Sequence, residues 1–118
     1  MGRGCERSTT VATNLHQVTD DSFQAEVIES TEPVLVDFWA PWCGPCRVVH
    51  PILEEMSQER DDLKIVSLNV DDNQQTAATY EVLSIPTMIL FKGGEAAKRI
   101  VGAMPKRKLE AELDPVLA

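Results

Sequence analysis

Two cysteines three positions apart, Cys43 and Cys46, enclose a glycine and a proline. Such a pair can exchange a disulfide with another molecule, or it can give two thiolates to a metal ion. The flanking residues help to choose. Val34-Leu35-Val36-Asp37-Phe38-Trp39 is a nearly continuous apolar run, the pattern of a strand buried on both faces of a parallel sheet. After Cys46, the residues Val48, Val49, Ile52, Leu53 and Met56 recur at helical spacing, with Glu54, Glu55, Glu59 and Arg60 on the other side. The cysteines therefore sit where a buried strand passes into a helix. Unpaired N–H groups at a helix start stabilise a nearby anion, so a thiolate at Cys43 is favoured, and Cys43 is the expected nucleophile. Cys46 lies about one turn on, on the same face, where it can attack a mixed disulfide formed at Cys43; it is the expected resolving thiol. Gly44 permits close backbone approach, and Pro45 fits a first helical turn, where no intrahelical bond is lost.

The metal alternative needs about four ligands. His50, one turn beyond Cys46, could join the two cysteines as a third. The rigid Gly-Pro insert, the strand-to-helix setting and the lack of a second Cys-x-x-Cys favour redox chemistry instead, so no metal is expected. His50 is read as a partly exposed helix residue without a catalytic role. Asp37 is the anomaly of its apolar strand. Buried below the dithiol, its carboxyl should have a raised pKa through desolvation, which suits a proton acceptor for Cys46. Trp42, between a turn proline and the nucleophile, is poorly placed for a core and suits a contact surface.

The elements that must hold these residues follow a βαβαβαββα order. Leu15 to Val18 reads as a short strand; Thr19-Asp20-Asp21-Ser22 supplies a cap and first-turn acids for a helix carrying Phe23, Val27 and Ile28. The 34–39 strand and the cysteine helix come next, with Pro51 expected to kink that helix. A third strand is read at Lys64 to Val70, a short helix around Gln75 to Tyr80, a fourth strand at Thr87 to Phe91, and a fifth at Ala96 to Val101. Gly93-Gly94 joins the last two strands as a tight turn, which makes that pairing antiparallel. Pro105 opens a closing helix with Leu109, Leu113 and Val116 on one face. The order implies an α/β fold with a mixed sheet and helices on both faces.

Composition sets the outer bounds. The 118 residues suit one domain, and 43% hydrophobic with 25% charged is ordinary for a globular chain. Residues 1–13 are polar and aperiodic and read as a flexible extension, leaving 14–118 as the domain. Eleven Lys and Arg against 19 Asp and Glu give a formal charge of -8, so nucleic acid and anionic membrane are poor partners. The first dozen residues lack a signal-peptide core, and Glu6 stands where an N-myristoylation motif needs Ser or Thr. A cytoplasmic setting is expected, where a close cysteine pair is not a structural bridge. Cys5 is read as a bystander.

Val36-Asp37-Phe38-Trp39-Ala40-Pro41-Trp42-Cys43-Gly44-Pro45-Cys46, with Pro51, Ile85-Pro86-Thr87, Phe91-Lys92-Gly93-Gly94 and Val101-Gly102-Ala103, closely resembles the thioredoxin family from about Asn14 to the C-terminus. The resemblance implies the thioredoxin fold and a protein-disulfide reductase whose Cys43–Cys46 dithiol is recharged by an NADPH-dependent thioredoxin reductase. It implies no bound cofactor, a monomer, and disulfide-bearing proteins as clients. It assigns Asp37 the proton-acceptor role, makes the Ile85–Pro86 bond cis, and places Trp42, Gly44, Pro45, Ile85, Pro86, Gly102 and Ala103 around Cys43 as the client-binding rim. There are two departures. Ser67 stands where many members carry a lysine beside the aspartate, and the expectation is a still higher Asp37 pKa for want of that cation. His50 stands where alanine is usual before the helix proline; protonated, it could favour the Cys46 thiolate at mildly acid pH. The rival readings are a metal-binding module on Cys43, Cys46 and His50, and a scaffold whose dithiol is incidental.

Overall fold

The computed structural model describes residues 15–118. The extension to residue 13, Asn14 and Cys5 lie outside the described residues. The elements run β1 (His16–Gln17), α1 (Gln24–Ile28), β2 (Val34–Trp39), α2 (Gly44–Glu59), β3 (Lys64–Asn69), α3 (Gln74–Thr79), β4 (Thr87–Lys92), β5 (Glu95–Val101) and α4 (Lys106–Leu117). The expected βαβαβαββα order holds, and the sheet order is β1-β3-β2-β4-β5. β2 pairs parallel with β3 and antiparallel with β4, so it is the central strand. All six of its residues are buried, as its continuous apolar run requires.

Strand alternation divides those residues between two layers. Val34, Val36 and Phe38 face Phe23 just before α1, Val27 of α1 and Ala77 of α3, in one apolar cluster with Val66, Leu68, Ile89 and Phe91. Leu35 faces Val49, Leu53 and Met56 of α2 and Leu109 and Leu113 of α4, with Ile65, Met88 and Leu90. Asp37, two residues from Leu35, is on the α2 side by the same alternation. Across the strands it is in register with Ser67 on β3 and Met88 on β4.

Three local expectations need correction. α1 is not a capped α-helix but one wide turn, closed by Glu29 N–H donating to Gln24 O, five residues back. Thr19 and Ser22 bond each other's backbone N–H groups, while Asp20 accepts from Gln75 N–H, Thr76 N–H and the Thr76 hydroxyl. The acid read as belonging to α1 thus caps α3 instead, 55 residues on. Val48, counted on the apolar stripe of α2, is exposed; Cys46, Val49, His50, Leu53 and Met56 are its buried residues. α2 continues through Pro51.

The β4–β5 hairpin turns at Gly93 and Gly94, with φ of 63° and 84°. A Cβ on Gly94 would lie 2.9 Å from the Ile28 carbonyl oxygen. β5 is an edge strand, mostly exposed and carrying Lys98 and Arg99.

Candidate functional site

The end of β2 delivers the chain into the site. Cys43 N–H donates to Ala40 O, closing the turn through Pro41 and Trp42, and Cys43 becomes the N-cap of α2. Its sulfur takes the place of a cap oxygen: Cys46 N–H donates to Cys43 Sγ at 3.1 Å. Cys43 and Cys46 are joined as a disulfide, with Cα atoms 5.3 Å apart. Both are buried, and Cys46 has no exposed surface. They cluster with Trp39 and Ala40, and Val70 and Ile85 pack against the group. A helix N-terminus with the Cys46 N–H directed at Cys43 Sγ is a setting that stabilises its thiolate once the bond is opened.

The rim residues come from three separate segments. Gly44 and Pro45 are exposed in the first turn of α2, and Trp42 beside them is 69% exposed. The Trp42 indole N–H is held by the Asp71 carboxylate, at 3.0 and 3.2 Å. Arg47 reaches back to donate to Pro41 O. The Ile85–Pro86 peptide bond is cis, as the resemblance implied. Gly102 N–H donates to Pro86 O at 2.8 Å, and Gly102 takes φ of 95°, which ties the β5 exit to the cis-proline loop. Ala103 follows, exposed.

Beside this rim lies an apolar groove of about 370 Å³, lined by Trp42, Val70, Val82, Leu83, Ser84 and Ile85. Sequence reading missed Val70, Val82 and Leu83 as part of it. Leu83 is 95% exposed, and the apolar pair Val82-Leu83 in the loop before Ile85-Pro86 was the available signal. An open polar cavity of about 510 Å³ lies between Thr19–Asp21 and Asp71–Gln75, and Asp71, which lines it, holds the Trp42 indole of the apolar groove.

Below the disulfide the structure corrects the expected partial exposure of His50. It is 1% exposed, and its Nε2 lies 2.9 Å from Oδ2 of Asp37, itself fully buried. The Trp39 ring meets the imidazole edge-on at 5.0 Å between centroids. His50 follows Cys46 by four residues on α2, so both project from the same helical face toward β2. The Asp37 carboxyl is pushed up by desolvation and held back by the close His50 imidazole. Asp37 therefore does not lack the partner whose absence was inferred from Ser67: the partner comes from the helix instead of β3. Ser67 is buried opposite Asp37, and neither its Oγ nor Asp37 Oδ1 has a protein hydrogen-bond partner among the described residues, while Asp37 Oδ2 meets His50 Nε2 at 2.9 Å as a close ion-pair contact whose N–H is not aligned on the oxygen.

Turned to Asp37, His50 is not placed as the third ligand of a metal centre. Among the described residues no group of three or more His, Cys, Asp or Glu side chains is arranged to hold a metal ion. Nor is any helix among them long and apolar enough to cross a membrane.

Comparison with known proteins agrees with this geometry. The family model described as Thioredoxin matches residues 14–115. Thioredoxin of Mycobacterium tuberculosis (strain CDC 1551 / Oshkosh) is 52% identical over 113 residues, covering 95% of this chain and 93% of its own length. Thioredoxin of Streptomyces clavuligerus is 55% identical over 95 residues, covering 80% and 89%. Thioredoxin of Synechocystis sp. (strain ATCC 27184 / PCC 6803 / Kazusa) is 51% identical over 102 residues, covering 86% and 95%.

Proposed function

The chain belongs to the thioredoxin family and is a thiol–disulfide oxidoreductase, a protein-disulfide reductase, and from that premise we propose how its residues divide the work. Cys43 is the nucleophile. As a thiolate at the head of α2 it attacks a client disulfide, forming a Cys43–client mixed disulfide and releasing one client thiol. Asp37 then takes the proton of Cys46, and the Cys46 sulfur attacks Cys43 Sγ. The client leaves with its second thiol, and the Cys43–Cys46 disulfide remains. Two electrons pass from the dithiol to the client.

The single observation that carries this reading is the Cys43–Cys46 disulfide at the N-cap of α2, with Cys46 N–H on Cys43 Sγ and the carboxyl of Asp37 buried in the strand below. Client chains lie along Trp42, Gly44, Pro45, Ile85, Pro86, Gly102 and Ala103, held by backbone bonds at the cis-proline loop and by apolar contact in the neighbouring groove. The protein works as a monomer in the cytoplasm, and an NADPH-dependent thioredoxin reductase returns it to the dithiol; nothing in the cycle needs a bound cofactor.

Turnover with NADPH, a thioredoxin reductase and insulin as the disulfide substrate tests the cycle. Wild type should consume NADPH in proportion to the disulfide reduced. Cys43→Ser should reduce nothing, and Cys46→Ser should accumulate mixed disulfides with the substrate. Retained turnover in Cys43→Ser would remove the nucleophile assignment.

A further inference from the structure

The reductase chemistry uses Asp37 and the two cysteines but leaves His50 without a task. Its position is specific. Nε2 lies 2.9 Å from Asp37 Oδ2, both side chains are within 1% of complete burial, and the Trp39 ring fixes the imidazole from the side. We propose that His50 is a positioning residue for the resolving step: its imidazole, held with Nε2 2.9 Å from Asp37 Oδ2, favours the ionised carboxyl and leaves Oδ1 to receive the Cys46 proton. The proposal rests on the reading of Asp37 as proton acceptor.

A carboxyl can take a proton only from its ionised form, and burial without a partner favours the neutral form. Asp37 is fully buried, so the acceptor state needs a donor within hydrogen-bonding reach. Among the described residues, the surrounding elements offer one. On β3 the register partner is Ser67 and on β4 it is Met88, neither of them a cation. Lys92 lies on the same face of β4 but four residues along, and its Nζ donates to Val116 O. α4 directs Leu109 and Leu113 inward, while Arg60 and Lys106 are engaged with surface carboxylates. On α2 the groups on this side are Cys46, His50 and, a further turn on, the partly buried Glu54. Among the described residues His50 is the group that reaches the carboxyl, and it does so from the helix that carries both cysteines.

The step balances as written. The Cys46 S–H bond breaks and its proton passes to Asp37 Oδ1. The Cys46–Cys43 S–S bond forms as the Cys43–client bond breaks, and the client sulfur leaves as a thiolate that takes up one proton. The pair later returns its own proton to water. No further oxidant or reductant is needed, because the client disulfide accepts the two electrons.

The test follows the decay of the Cys43–insulin mixed disulfide by rapid acid quench between pH 5 and 9. It compares the reduced full chain with His50→Ala, His50→Gln and Asp37→Asn, and side-chain carbon NMR reads the Asp37 titration in each folded protein that retains it. In His50→Ala the acid limb of the decay rate should move upward by about one pH unit or more, about tenfold slower decay on that limb, with the Asp37 titration moving the same way. His50→Gln keeps an amide donor at nearly the same reach, and should restore most of both. An unchanged limb and an unchanged Asp37 titration in His50→Ala, or in the donor-less His50→Leu if the alanine variant does not fold, overturns the role of His50 while Asp37→Asn still alters the limb. A wild-type limb in Asp37→Asn overturns the acceptor reading itself and this proposal with it.

Discussion

Replacing Asp37 by Asn should stabilise the folded protein, and the gain should depend on pH in a way that reports the buried carboxyl. Asn has nearly the same shape, so packing against Ser67 and Met88 is kept while the ionisation is removed. Desolvation pushes the Asp37 carboxyl above its unfolded value, with His50 acting in the opposite sense. At pH below about 3.9 the group is protonated in both states and contributes no difference. As pH rises beyond that, the unfolded chain releases the proton and the folded chain holds it, so wild-type stability falls by up to about 1.4 kcal/mol per pH unit. The loss stops growing once pH passes the raised folded value. The advantage of Asp37→Asn should therefore climb with that slope from about pH 4 and then level. Repeating the comparison in His50→Ala isolates the carboxyl from its partner: the climb should run to higher pH and reach a higher plateau, each further unit adding about 1.4 kcal/mol. The assay is urea unfolding of the oxidised proteins, followed by the fluorescence of Trp39 and Trp42 across pH 3.5 to 9, with m-values compared to check the denatured state. A difference between Asp37 and Asn that stays flat with pH would refute the raised pKa. Equal plateaus in the two backgrounds would refute the balancing role of His50.

Two further outcomes follow from parts of the structure outside the dithiol. Asp20→Ala removes three hydrogen bonds from the start of α3 and should cost about 1–2 kcal/mol, lowering Tm by several degrees. Burial opposes ionisation of Asp20, but its bonds to Thr76 and Gln75 prevail and lower its pKa, so its stabilisation is present at neutral pH and the deficit of the variant, read by thermal melts, should shrink as pH falls through the carboxylate range. Leu83→Asp should leave Tm unchanged, because the side chain is already 95% exposed, and should raise KM for insulin reduction about fivefold through lost apolar contact in the groove, with kcat little altered.

What the sequence made legible was whatever local pattern decides. β2 occupies the predicted 34–39 stretch because a continuous apolar run has one good solution, burial on both sheet faces. The helix start at Gly44 and the hairpin at Gly93-Gly94 follow from residues whose backbone preferences act within a few positions. The readings that failed depend on distant segments. Asp20 beside Thr19 and Ser22 reads as a local cap, yet its carboxylate is claimed by amides 55 residues on, and α1 contracts to a single wide turn. The groove joins Trp42, Val70 and the 82–85 loop, three segments that no periodicity connects. His50 was read by residue type, although its spacing from Cys46 and Leu53, four back and three on, already set it on the buried stripe of α2.

That spacing explains why a serine suffices at position 67. The carboxyl of Asp37 faces α2, and a donor can approach it from the next strand or from the helix above. A lysine on β3 would bring four methylenes and their rotamer entropy into a layer where Ser67 already has no exposed surface. His50 covers the distance with two torsions, is braced by the Trp39 ring, and occupies the volume above the carboxyl. With that volume filled, a long side chain at 67 would overpack the layer, and a small one fits. The two departures from the family pattern, Ser67 and His50, are then one arrangement, which moves the partner of the buried acid from the sheet to the helix that bears the dithiol.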